Sequence, residues 1–109
     1  MTQITIYRNQ ENAFTGFLCE GHAGYAQAGE DIVCAGISTL VINTINAVEA
    51  FTKTKILADA EQESGTIHVN FPSGCDKQAK LLVDAMILGL QGIQKNYGKK
   101  FLSLDFKEV

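Results

Sequence analysis

Two long stretches of this chain carry one apolar stripe each, and neither stripe could be buried by its own helix. From Ile32 to Phe51, the residues Val33, Ile37, Leu40, Val41, Thr44, Val48 and Phe51 recur at helical period. From about Asp76 to Tyr97, Ala79, Leu82, Val83, Met86, Leu90, Ile93 and Tyr97 do the same. Short alternating segments surround both. One-striped helices interspersed with strands need a sheet to cover, which limits the chain to a small set of layered architectures.

The strands follow from period-2 alternation. Thr2 to Tyr7 sets Ile4 and Ile6 on one face. Asn9-Gln10-Glu11-Asn12 is polar turn chemistry. Phe14 to Glu20 reads as the hairpin partner, with Thr15, Phe17 and Cys19 on one side and Phe14, Gly16, Leu18 and Glu20 on the other. Lys55 to Glu61 forms a third strand carrying Ile56, Ala58 and Ala60 on one face, and Glu63-Ser64-Gly65 is a turn. Thr66 to Phe71 alternates most cleanly, with His68 on the polar side, and Pro72 ends it. Ser73 and Asp76 stand at capping-box spacing before the second helix, and Gly98 is placed to close it. Lys100 to Phe106 alternates Leu102, Leu104 and Phe106 as a last strand. The order is ββαββαβ. It predicts one α+β domain over residues 1–109, a mostly antiparallel sheet of about five strands packed with two helices.

Composition narrows the function classes. The 109 residues are 46% hydrophobic, enough for one ordinary core. A net charge of −3 argues against a nucleic-acid-binding face, which is usually basic. The N-terminus shows no signal-peptide pattern and no window reads as a membrane span, so a cytoplasmic protein is expected. Cys19, Cys34 and Cys75 form no CxxC pair and no zinc-spaced cluster with histidine; no metal or other cofactor is implied.

Chemistry concentrates in GHAGYAQAGEDIVCAGIS, Gly21 to Ser38. His22 falls just past the end of the second strand. With Asp31 as N-cap, Cys34 falls at the third position of the first helix. Unsatisfied N–H groups and the positive end of the helix dipole stabilise negative charge there, and the thiolate is the nucleophilic form of cysteine. A histidine brought close by the intervening loop could accept the thiol proton and return it to a leaving amine. Position and spacing alone do not separate this dyad from a small buried thiol beside a solvent-facing turn histidine. Asp31 either caps the helix or orients His22. Ser38 lies one turn beyond Cys34, where it could bond within a site or simply to its own helix.

The same residues resemble the signature of the ribosomal-processing cysteine proteases, the Prp family: GHAGY, a short glycine-containing loop, then DIVCA and a serine. Arg8-Asn9 in the opening strand, Asn46 in the first helix and the final strand suit that family as well. The resemblance implies an endopeptidase with His22 as general base and acid and Cys34 as nucleophile; Asp31 and Ser38 match motif positions of less defined role. It implies a mobile loop over Ala23 to Glu30, with Gly24, Tyr25 and Gly29 gating the substrate. It further implies a homodimer, and as substrate the N-terminal extension of large-subunit ribosomal protein 27, cut after an aromatic residue. Neither nucleic acid nor a membrane is an expected partner. The competing readings are a non-enzymatic ribosome-associated protein-binding module, and a thiol redox sensor in which Cys19 or Cys75 approaches Cys34.

Overall fold

The structure is a computed structural model that describes residues 1–21, 32–61 and 63–109. Its elements run β1 (Thr2–Arg8), β2 (Phe14–Glu20), α1 (Ile32–Phe51), β3 (Leu57–Glu61), β4 (Thr66–Asn70), α2 (Lys77–Tyr97) and β5 (Leu102–Glu108). The expected ββαββαβ order and the α+β class both hold. The sheet order is β3-β4-β2-β1-β5. Three of its pairings are antiparallel, and β5 returns beside β1 as the one parallel pair.

One face of the sheet is the floor of the core. Ile4, Ile6, Phe17, Cys19 and Val69 are buried on it, and the buried stripes of α1 and α2 lie in the same cluster. β1 and β2 form a hairpin whose turn is built by Asn9. Its Oδ1 accepts from the N–H of Glu11 and of Ala13, and Asn12 takes the left-handed conformation at φ 64°. The register shifts between Tyr7 and Arg8, so Arg8 pairs with Phe14 while Tyr7 pairs with Gly16. This bulge corrects the facing of β2. Phe14 is not across the sheet from Phe17 but buried with it in one core, because the extra residue resets the alternation.

The helix stripes hold in their centres and fail at their ends. In α1 Val33, Ile37, Val41, Thr44, Ile45 and Val48 are buried, whereas Phe51 is 75% exposed. In α2 Ile87 joins the buried set and Tyr97 leaves it. Periodicity continues through the last turn of each helix, but burial there does not. By length and composition α1 is apolar enough to cross a membrane, contrary to the reading that no window approaches a span. Its stripe is spent on the sheet and on α2.

The entry to α2 also differs from expectation. Asp76 is itself the N-cap, its Oδ1 accepting from the Ala79 N–H at 2.8 Å, so the Ser73–Asp76 capping box does not form. The Asp76 N–H donates to Thr54 Oγ1 at 2.9 Å, tying the helix start to the segment after α1. The Ala79 N–H is the main reason the Asp76 carboxyl is held below the usual carboxylate range. Gly98 closes α2 as expected, its N–H reaching Gln94 O. β3 and β5 both start two residues later than the sequence reading placed them, at Leu57 and Leu102. All five residues of β3 are exposed, including Ala58 and Ala60, because β3 is an edge strand that the helices leave uncovered.

Leu90 of α2 is fully buried among these layers. Leu90→Ala should lower the unfolding free energy by about 3 kcal/mol, read from urea denaturation. A loss below about 1 kcal/mol would mean that the helix–sheet interface is not the main store of stability.

Candidate active site

Cys34 is the third residue of α1, in the first turn, where the sequence reading placed it. The first backbone N–H groups of any helix lack partners within the helix, so a first-turn position is one where donors can serve an anionic group. Its side chain is half-buried and packs at the margin of the core.

A groove of roughly 280 Å³ opens beside it. Thr2 from β1, Cys19 from β2 and Ile67 from β4 line it from the sheet, and Ile37, Ser38 and Ile42 line it from α1. Ala60, Glu61 and Thr66 close its far side at the uncovered β3 edge. The groove lies between α1 and the β3–β4 side of the sheet and runs as a mostly apolar trough beside Cys34. Ser38, expected one turn past Cys34, lines this same trough.

Gly21 lines it too, and glycine is required there. Its φ is +84°, a conformation that side chains other than glycine rarely adopt, and a Cβ would stand 2.7 Å from Met1 O. The end of β2 therefore passes tightly against the start of β1. His22, Gly24, Tyr25, Gly29 and Asp31 lie outside the described residues. His68 is described, and it is exposed on the face of β4 away from the groove, opposite Leu18 and Asp59 in register. Among the described residues no group of three His, Cys, Asp or Glu side chains could hold a metal ion.

The other two cysteines sit in different surroundings. Burial pushes the Cys19 thiol up to about 11, with the neighbouring Cys34 and Glu20 adding to the rise. Sequence alternation had put Cys19 in or near the core; its place beside Cys34 depends on how α1 crosses β2, which no local pattern reveals. Cys75 precedes the N-cap of α2 and does not line the groove. Burial raises it to about 11 as well, helped by Asp76 and Asp84 and opposed by Lys80.

Both folded-state values lie above the ordinary 9.0. The associated stability is therefore complete below pH 9 and lost as pH rises from 9 to about 11. The urea midpoint should fall across that window, and fall less in the double variant Cys19→Ala/Cys75→Ala. An identical fall in the variant would remove these thiols as its cause.

Comparison with known proteins agrees with this geometry. The family model for cysteine protease Prp matches residues 1–101. The ribosomal processing cysteine protease Prp of Bacillus subtilis is 34% identical over 101 residues, covering 89% of this chain and 90% of its own. The protein of the same name from Staphylococcus aureus is 28% identical over 107 residues, covering 98% of this chain and all of its own. The crystal structure of the S. aureus protease with a covalently linked product peptide superposes with a TM-score of 0.92 at 28% identity, over 98% of this chain and 100% of that one. A Streptococcus mutans structure gives 0.85 at 26% identity, over 100% of this chain and 96% of that one. A thiol at a helix start, a groove leading to it and a family match across nearly the whole chain point the same way: this protein is a cysteine protease and belongs to the Prp family.

Proposed function

We propose that this protease cleaves the N-terminal extension of large-subunit ribosomal protein 27 with a Cys34–His22 dyad. One observation carries the dyad. The sequence holds two histidines. His68 lies on the far face of the sheet, while Gly21, the residue bonded to His22, lines the groove that contains Cys34. The relatives named as ribosomal processing proteases support the substrate class, and a S. aureus relative has been crystallised with a substrate peptide.

His22 takes the proton of the Cys34 thiol as sulfur attacks the scissile carbonyl carbon. The carbonyl oxygen becomes an oxyanion, stabilised by N–H donors at the start of α1; one such donor is typically worth ~10²-fold or more in rate. Collapse breaks the C–N bond, and His22 delivers its proton to the departing amine. The acyl half remains as a thioester on Cys34. Water then attacks that carbonyl with His22 accepting its proton, the C–S bond breaks, and the sulfur recovers the proton from His22. Ser38 and Asp31 act beside this pair as supporting groups. The homodimer and the cytoplasmic location implied by the family resemblance belong to the same reading.

The test is a peptide spanning the ribosomal protein's extension, incubated with the parent, Cys34→Ala and His22→Ala. The parent should cut after an aromatic residue. Each variant should lose about a thousandfold or more in kcat/KM, as expected for loss of a nucleophile or its base. Undiminished cleavage by Cys34→Ala would refute the nucleophile, and an intact peptide with active parent enzyme on other substrates would refute the ribosomal assignment.

A further inference from the structure

Thr2 carries an unexplained cost. It lies on the helix-facing side of β1 with Ile4 and Ile6, and it is 2% exposed. Its main chain is satisfied, the N–H donating to Phe101 O at 3.0 Å. Its side chain is not. Among the described residues, Thr2 Oγ1 is the only buried side-chain nitrogen or oxygen without a hydrogen-bond partner. Thr44, the other buried polar residue, donates from Oγ1 to Leu40 O at 2.7 Å, one helical turn back. A strand residue has no such carbonyl one turn back to use. Valine would fill the same space, suit the strand equally and leave no hydroxyl unpaired.

The placement of the residue supplies a reason. Thr2 lines the groove beside Cys34, whose neighbouring surface from Cys19, Ile37, Ile42 and Ile67 is apolar or thiol. A peptide entering such a groove gives up water at its main-chain amides and needs partners for them. A threonine hydroxyl both donates and accepts, so it can serve a peptide N–H or a carbonyl oxygen without reading the side chain.

We propose that Thr2 is a substrate-binding residue, its hydroxyl hydrogen-bonding a main-chain amide of the peptide segment that occupies the groove next to Cys34. The free enzyme keeps an unsatisfied group that the substrate satisfies. The inference rests on the reading of Cys34 as the nucleophile of a peptidase, and not on which protein is cut.

Thr2→Val and Thr2→Ser test it with three readouts. Thermal unfolding of the free protein should show Thr2→Val at least as stable as the parent, because it removes an unpaired buried hydroxyl. Labelling of Cys34 by a peptidyl chloromethyl ketone ending in phenylalanine should slow about tenfold in Thr2→Val, the loss of one hydrogen bond. Labelling by iodoacetamide, which has no peptide chain, should stay at the parent rate. Thr2→Ser, which keeps the hydroxyl, should label with the peptidyl reagent at close to the parent rate. Cleavage of the ribosomal peptide should follow the peptidyl labelling. Equal peptidyl labelling in parent and Thr2→Val overturns the proposal whatever happens to the ribosomal peptide. A lowered melting temperature in Thr2→Val also overturns it, since the hydroxyl would then have an internal role. A peptidyl effect with no cleavage of the ribosomal peptide leaves Thr2 in place and removes that substrate.

Discussion

Leu40 of α1 rests where Gly89 of α2 has no side chain. A Cβ at Gly89 would fall 2.8 Å from Leu40 Cδ1, so the two helices pack as closely as they do because that position is empty. Helix separation depends on the side chains at the crossing. This contact therefore helps to set where α1 lies on the sheet. Gly36 and Ile93 approach at a second point, 3.4 Å from a would-be Cβ. The groove opens on the other side of α1, toward the exposed β3 edge. The place of Cys34 follows from the same constraint, since a residue in the first turn of a helix moves with the helix. A side chain at position 89 would force Leu40 out of its place between the helices.

Much of this was legible in the sequence where a pattern is local. The bounds of β2 and α1, the helical position of Cys34 and the closure of α2 at Gly98 all depend on neighbours within a few residues. What failed depends on distant parts of the chain. Phe51 and Tyr97 obey the helical period and are nonetheless exposed, because burial depends on what the rest of the chain brings to the helix ends. The bulge opposite Tyr7 moved Phe14 into the core, and an alternation rule counts every residue as one step. Ser73 had the spacing of a cap, but Asp76 won the role with an acceptor that reaches the Ala79 N–H and a donor that reaches Thr54. The parallel return of β5 beside β1 leaves no trace in either strand alone.

The active site divides in the same way. Motif and helix position picked out Cys34 and Ser38, and the fold brings both to one groove. The groove itself could not be read, because its walls come from β1, β2, β4, the β3 edge and α1. Thr2 belongs to that class. In sequence it is one polar residue in an alternating strand; its unpaired hydroxyl and its position near Cys34 exist only once β1 and α1 are packed.

The three cysteines show what the fold adds to residue type. Each is a thiol, and two stand near the start of a helix. Cys75 precedes its helix behind the Asp76 carboxylate, which occupies the N-cap and takes the Ala79 N–H. Burial is the main reason its thiol is raised, and the negative charge at that point adds to the effect by opposing a second one on sulfur. Cys19 lies in the same groove as Cys34 but projects from a strand, and burial pushes its thiol up. Cys34 alone combines a first-turn position inside the helix with an opening through which a peptide could reach it. The glycine at position 21 then matters beyond its own turn. By letting β2 end hard against Met1, it closes one side of the opening at the edge of the sheet opposite to the face where His68 lies.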